Sequence, residues 1–171
     1  KYGVNYHSNF DTDSVYTDSG IENYATFATL TYAATKLPDR AGYTFASWNT
    51  KADDTGASFT AGVTARIDGE GSNDLYAQWT PNTDTKYTVE FYYQDDDGSG
   101  YTKDTTDERH GTTDTTAEVS TTDKTPSSDK YVFDAYNDDN ITSGKIAGDG
   151  SLVLKLYFKL NQAECIIHHY L

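Results

Sequence analysis

Apolar and polar residues alternate with period two at the start of the chain, where Tyr2, Val4 and Tyr6 are set against Gly3, Asn5 and His7. A strand places successive side chains on opposite faces, so this pattern predicts a half-buried β-strand, closed by turn chemistry at Asp11 to Ser14. The stretches Ile21 to Leu30 and Thr31 to Leu37 fit no single period. Pro38-Asp39-Arg40-Ala41-Gly42 then punctuates the chain before an aromatic strand, Tyr43 to Trp48. A polar loop, Asn49 to Gly56, follows. Phe59, Val63 and Ile67 sit four apart, which suits a short helical turn and isolated core anchors equally well. Leu75, Ala77 and Trp79 alternate in a closing strand.

Thr80-Pro81-Asn82-Thr83-Asp84-Thr85-Lys86 contains no apolar side chain besides proline and separates two strand patterns, so it marks a domain boundary, with 81–86 as the linker. The second half restarts as the first did: Tyr87, Val89, Phe91 and Tyr93 alternate with polar or outward positions, ending in the acidic turn Asp95-Asp96-Asp97-Gly98-Ser99-Gly100. From Tyr101 to Lys130 the chain is rich in Thr, Asp and Ser, and only Tyr101, Ala117 and Val119 offer anchors, which predicts loops or extended edge segments. Tyr131 to Tyr136 and Ser151 to Leu160 are the remaining strands; in the latter Leu154, Leu156, Phe158 and Leu160 share one face. The reading is two tandem strand-rich modules, 1–80 and 87–160, with 161–171 as a tail or the start of a further strand.

Composition narrows the partners. The 171 residues carry a formal charge of −14 with an abundance of tyrosine, 15 in all. Both halves are acidic, with 5 basic against 10 acidic residues in 1–80 and 8 against 17 in 81–171, so the charge is a solvated surface and not a tail. Long-range repulsion of that sign disfavours nucleic acid and anionic membrane surfaces. A single cysteine, Cys165, excludes an intramolecular disulfide. The sequence contains no initiator Met, signal peptide or apolar run long enough to insert in a membrane, and it reads as an internal excerpt of a longer chain.

Gly42-Tyr43-Thr44-Phe45-Ala46-Ser47-Trp48-Asn49-Thr50, with Leu75-Tyr76-Ala77-Gln78-Trp79 and the opening Val4-Asn5-Tyr6-His7-Ser8-Asn9, resembles the Listeria-Bacteroides repeat, also called the internalin B-repeat. Ser47 stands where that family usually has Gly, and the acidic stretch Asp68 to Asp74 is enlarged. Tyr87 to Tyr93 and Gly150 to Tyr157 are similar to mucin-binding-protein-like repeats. The resemblance implies two β-grasp (ubiquitin-like) modules of α+β, strand-dominated class with little helix, the first-named family having one short helix against a mixed sheet. It also implies a non-catalytic repeat region on the surface of a Gram-positive-type bacterium, outside the cell, among neighbouring repeats. The role implied is an adhesin stalk or spacer, with a module recognising a host glycan or surface protein as the alternative.

The residues themselves offer few chemical sites. Asp95-x-Asp97-x-Ser99-Gly100 matches the start of a calcium loop, the only cofactor the sequence suggests, but Thr106 occupies the position of the bidentate Glu. The Asn137 to Asn140 cluster reads as turn chemistry. Cys165-x-x-His168-His169 has metal-ligand types, yet His7 and His110 are distant in sequence. No nucleophile elbow or Gly-rich phosphate loop occurs, which argues against catalysis. Tyr92, Tyr101 and Tyr136, with Tyr24, are the aromatics expected outside and able to stack on a sugar, whereas Tyr43, Tyr76, Tyr87 and Tyr93 are expected in the core. Lys155 is expected on the face opposite Leu154 and Phe158, away from the buried setting an intramolecular Lys–Asn cross-link requires.

Overall fold

The computed structural model describes residues 2–21, 27–29, 37–60, 64–66 and 72–162. The chain divides into two compact units, Lys1–Asn82 and Thr83–Leu171. The described residues form thirteen strands and no helix, so the helical share of the expected α+β class is not seen among them. None of them forms a helix long and apolar enough to cross a membrane.

In the first unit the strands are β1 (Tyr2–His7), β2 (Val15–Ile21), β3 (Phe27–Thr29), β4 (Tyr43–Asn49), β5 (Ser58–Thr60), β6 (Thr64–Arg66) and β7 (Ser72–Pro81). Five make one sheet in the order β2-β1-β7-β4-β5, while β3 and β6 pair separately. The β1–β2 hairpin closes through side chains that replace backbone partners. Asp13 Oδ1 accepts the Asn9 N–H at 2.9 Å, and Ser8 Oγ accepts the Ser14 N–H at 2.8 Å. Asn9 and Asp11 take positive φ, 57° and 46°, which Asn and Asp tolerate better than most residues. β1 then runs parallel to β7, pairing Val4 with Asn73 and Tyr6 with Leu75.

A β-bulge explains the spacing of the aromatic motif. Phe45 and Trp48 are three apart, which plain alternation would send to opposite faces. The β4–β7 register shifts between Phe45 and Ser47: Phe45 faces Trp79, but Ser47 faces Gln78, leaving Ala46 unpaired. Both rings thus reach the core formed by Val4, Tyr6, Leu37, Trp48, Leu75 and Ala77, against which Phe59 also packs. Val63 and Ile67, the other members of that four-residue spacing, lie outside the described residues.

The second unit contains β8 (Thr85–Gln94), β9 (Tyr101–Gly111), β10 (Thr116–Glu118), β11 (Tyr131–Phe133), β12 (Ser143–Lys145) and β13 (Val153–Leu160). Its main sheet is ordered β11-β13-β8-β9, with β8 parallel to β13, and β10 pairs with β12. Val89, Leu154, Leu156 and Phe158 fill one face with Ala117 and Ile146. The two units therefore share a plan despite unlike sequences. A first hairpin contributes its leading strand to the sheet centre, and the last strand inserts parallel to it, flanked on its other side by an antiparallel strand.

Two expectations need correction. Thr80 to Lys86 is mostly strand: Thr80 and Pro81 pair with Thr44 and Tyr43, Thr85 and Lys86 with Gly111 and His110, and only Asn82 to Asp84 separate β7 from β8. Threonine suits an exposed strand as well as a loop, so polarity alone was misleading. In the second unit no helix lies between the hairpin and β11. The Thr and Ser side chains there bond the nearby backbone instead, as Thr115 Oγ1 does to the Thr112 carbonyl and Thr125 Oγ1 to that of Thr121, which competes with helix formation.

Candidate binding surface on the second unit

The acidic turn joins β8 to β9. The Asp95 N–H donates to the Gly100 carbonyl at 2.9 Å, and Gly98, at φ 72°, donates its N–H to the Asp95 carbonyl. That left-handed position suits glycine. The carboxylates are divided among separate partners: Asp95 accepts from Thr102 at 2.8 Å, Asp96 pairs with Lys130 at 2.5 Å, and Asp97 accepts the Ser99 N–H at 2.9 Å. The structure brings Asp95, Asp97 and Ser99 into one turn, where each serves to hold it. Among the described residues no group of three or more His, Cys, Asp or Glu is arranged to hold a metal ion. Cys165, His168 and His169 lie outside the described residues, as do Tyr24 and 68–71.

Alternation assigns the outer face of the second sheet to Glu90, Tyr92 and Gln94 on β8 and to Lys155, Tyr157 and Lys159 on β13. Tyr92 stacks on Tyr157, its direct cross-strand neighbour, with centroids 4.7 Å apart and planes 11° from parallel. Tyr101 meets the same ring edge-on at 5.3 Å. Tyr157, only 8% exposed, is the hub that joins two of the four tyrosines expected outside. Sequence reasoning passed over it, although its place between Leu156 and Phe158 already sets it on the opposite face. Tyr136 stands apart at 92% exposure, and Lys155 reaches within 5.9 Å of the Tyr92 ring.

Hydrogen bonds fix the polar ends of these rings. Tyr92 donates to Glu90 Oε2 at 2.7 Å; that bond and some loss of solvent push its phenol up to about 12. Tyr101 donates to Asp134 Oδ2 at 2.9 Å, and Lys159 Nζ lies 3.2 Å from Asp134 Oδ1. Burial opposes ionisation of Asp134, but these two donors outweigh it and hold the carboxyl below its usual range. A shallow depression of about 440 Å³ opens beside them, lined by Gln94, Tyr101, Asp134, Lys159 and Asn161 among others. Its chemistry is mainly that of polar recognition: a phenol edge, a carboxylate, an ammonium and three amides, beside Val132 and Leu160.

Two expected core rings belong elsewhere. Tyr76 stacks on His7 at 4.4 Å, on the face opposite Leu75 and Ala77, because it alternates with them. Tyr43 is half-buried under the Arg40 guanidinium, 3.7 Å from its centroid. Tyr87 and Tyr93 pack against the second core.

The strongest electrostatic contact is one that sequence could not pair. Arg109 on β9 grips Asp123 with both terminal nitrogens, at 2.9 and 2.6 Å, and Ser120 adds its N–H and hydroxyl. The guanidinium, then the Ser120 bonds, hold Asp123 well below the usual carboxylate range against the cost of burial. A depressed carboxyl stabilises the fold fully above its unfolded value of about 3.9, and that share is lost as pH falls towards the folded value. Asp123→Asn is expected to cost about 2 kcal/mol at neutral pH and a smaller amount near about pH 3, where the unfolded carboxyl is already mostly protonated. Urea unfolding at the two pH values measures it; an equal loss at both would refute the ion-pair account.

No known family profile matches the chain, and no curated protein does. Two solved structures are similar to it. Streptococcal High Identity Repeats in Tandem (SHIRT) domains 3-4 from a cell surface protein are 15% identical, over 95% of this chain and 100% of that one, with a TM-score of 0.31. The crystal structure of Mub-RV is 14% identical, over 94% and 98%, with a TM-score of 0.24. Both similarities are too distant to assign fold or function to this chain.

Proposed function

We propose that the chain is a non-catalytic pair of β-grasp repeats from a bacterial cell-surface protein, acting as a stalk or spacer. One observation carries the reading: the residues that resemble the Listeria-Bacteroides repeat meet as a structural unit. Phe45 pairs with Trp79 and Trp48 with Ala77 across β4 and β7, and these side chains form much of the first core. A β-grasp sheet needs a leading hairpin whose first strand lies beside the last strand in parallel, and the orders β2-β1-β7-β4-β5 and β11-β13-β8-β9 both meet that need. Repetition of one plan with unlike sequences favours a tandem array, in which the second unit corresponds to the mucin-binding-protein-like repeat. The runner-up, a module that recognises a host glycan or surface protein, is favoured by the depression beside Tyr101, Asp134 and Lys159.

Antibodies raised against the chain test the location. Labelling of intact producing cells, removed by brief external protease treatment, is the expected result. Labelling only after permeabilisation would overturn the surface assignment.

A further inference from the structure

The two strands through which tension enters each unit are neighbours, parallel, and paired along most of their common length. In the first unit these are β1 and β7, in register from Gly3 opposite Ser72 to His7 opposite Tyr76. In the second they are β8 and β13, from Thr88 opposite Val153 to Tyr93 opposite Phe158. A pull on the chain enters at the start of the first strand and leaves at the end of the second. Because the strands run the same way, those points lie at opposite ends of the ladder. The pull then slides one strand along the other and stretches all the cross-strand bonds together. Antiparallel neighbours pulled at a shared end instead yield one bond at a time.

Side chains brace both ladders, although parallel pairing is intrinsically slightly the weaker kind. Across β1 and β7, Asn5 donates to Asp74 at 2.8 Å, His7 stacks on Tyr76 at 4.4 Å and Asn73 donates to the Gly3 carbonyl at 3.3 Å. Across β8 and β13, Tyr92 stacks on Tyr157 at 4.7 Å and Tyr93 on Phe158 at 4.9 Å, each ring facing its register partner. Lys155 stands opposite Glu90. Cross-strand pairs of this kind stabilise a ladder individually and are stressed together in shear.

We propose that each unit is a shear clamp and that the chain's further function is to bear tension along its length. As a biological role this rests on the stalk reading; as a mechanical property it rests on the strand order alone. A weak clamp would remove the tension-bearing role and leave a slack spacer. Discovery of a ligand would remove the spacer role and leave the clamp.

Single-molecule pulling of the whole chain in two geometries tests it. Attachment at the chain ends loads both clamps in shear. Attachment through Lys86→Cys and His110→Cys, with Cys165→Ser, loads the open end of the β8–β9 hairpin, where those two positions are register partners, and unzips it. The expected unfolding force is several-fold higher end to end than in the unzipping geometry at the same loading rate, with each end-to-end event releasing the contour of one unit, roughly 280 Å. Equal or lower force end to end would overturn the proposal. Tyr92→Ala is expected to lower the end-to-end force of one event, and Tyr136→Ala, outside the ladder, to leave both unchanged. Equal effects of the two variants would also count against the clamp.

Discussion

Trp48→Ala is expected to lower the stability of the first unit by about 3–5 kcal/mol, the range for removing a large buried aromatic. Trp48 is fully buried, with Tyr6 and Phe45 each 5.0 Å away between ring centroids, and Phe59 and Ala77 sit opposite it on the neighbouring strands. Truncation empties the middle of a core whose other walls are held by backbone ladders and cannot close in. A unit of this size buries only about 60% of its extended-chain surface, so a loss on that scale approaches its whole stability. Trp79 is then the only tryptophan left, its Nε1 donating to the Ser8 carbonyl at 2.8 Å, and its fluorescence follows unfolding of this unit in urea. A loss below about 1 kcal/mol would mean that the bulge at Ala46 does not aim Trp48 as described.

Phe158→Ala is expected to have a similar effect on the second unit, about 3–5 kcal/mol. The ring is fully buried on β13, 4.9 Å from Tyr93, 5.9 Å from Phe133 and 6.4 Å from Phe91, and so binds the central strand to both neighbours. Its loss also loosens the parallel ladder with β8. Amide exchange along β8 and β13 together with tyrosine near-ultraviolet circular dichroism reports the change. Unaltered protection on β13 would place the weight of this core elsewhere.

These two residues also show what was legible in advance. Leu154, Leu156 and Phe158 announce their shared face by strict alternation in an apolar run, and the burial follows the pattern. Phe45 and Trp48 break the period, and the break is itself the signal of a bulge, though only the β7 register reveals that Ala46 is the extra residue. Tyr76 and Tyr157 alternate with buried neighbours, Leu75 and Ala77 in one case and Leu156 and Phe158 in the other, and that alternation alone sets both rings on the opposite face. β9 was harder to read: all but two of its residues are polar, because an edge strand with little covering needs backbone pairing with β8 more than it needs apolar side chains. Arg109 and Asp123 were beyond reach, since nothing local pairs residues fourteen apart through a turn that Ser120 and Asp123 themselves organise.

The candidate sites followed the same division. Asp95, Asp97 and Ser99 lie in one turn because they are close in sequence, and there the Thr102 hydroxyl and the Ser99 N–H bond the two carboxylates. Tyr92 and Tyr101 were grouped by exposure, and it is Tyr157 and Asp134, remote in sequence, that give them a common surface.

Binding of the purified chain to an array of glycans and mucins, with and without millimolar calcium, tests the central claim most directly. The spacer account predicts no reproducible binding under either condition. Reproducible binding lost in Tyr101→Ala or Lys159→Ala would contradict it and make the depression on the second unit a recognition site.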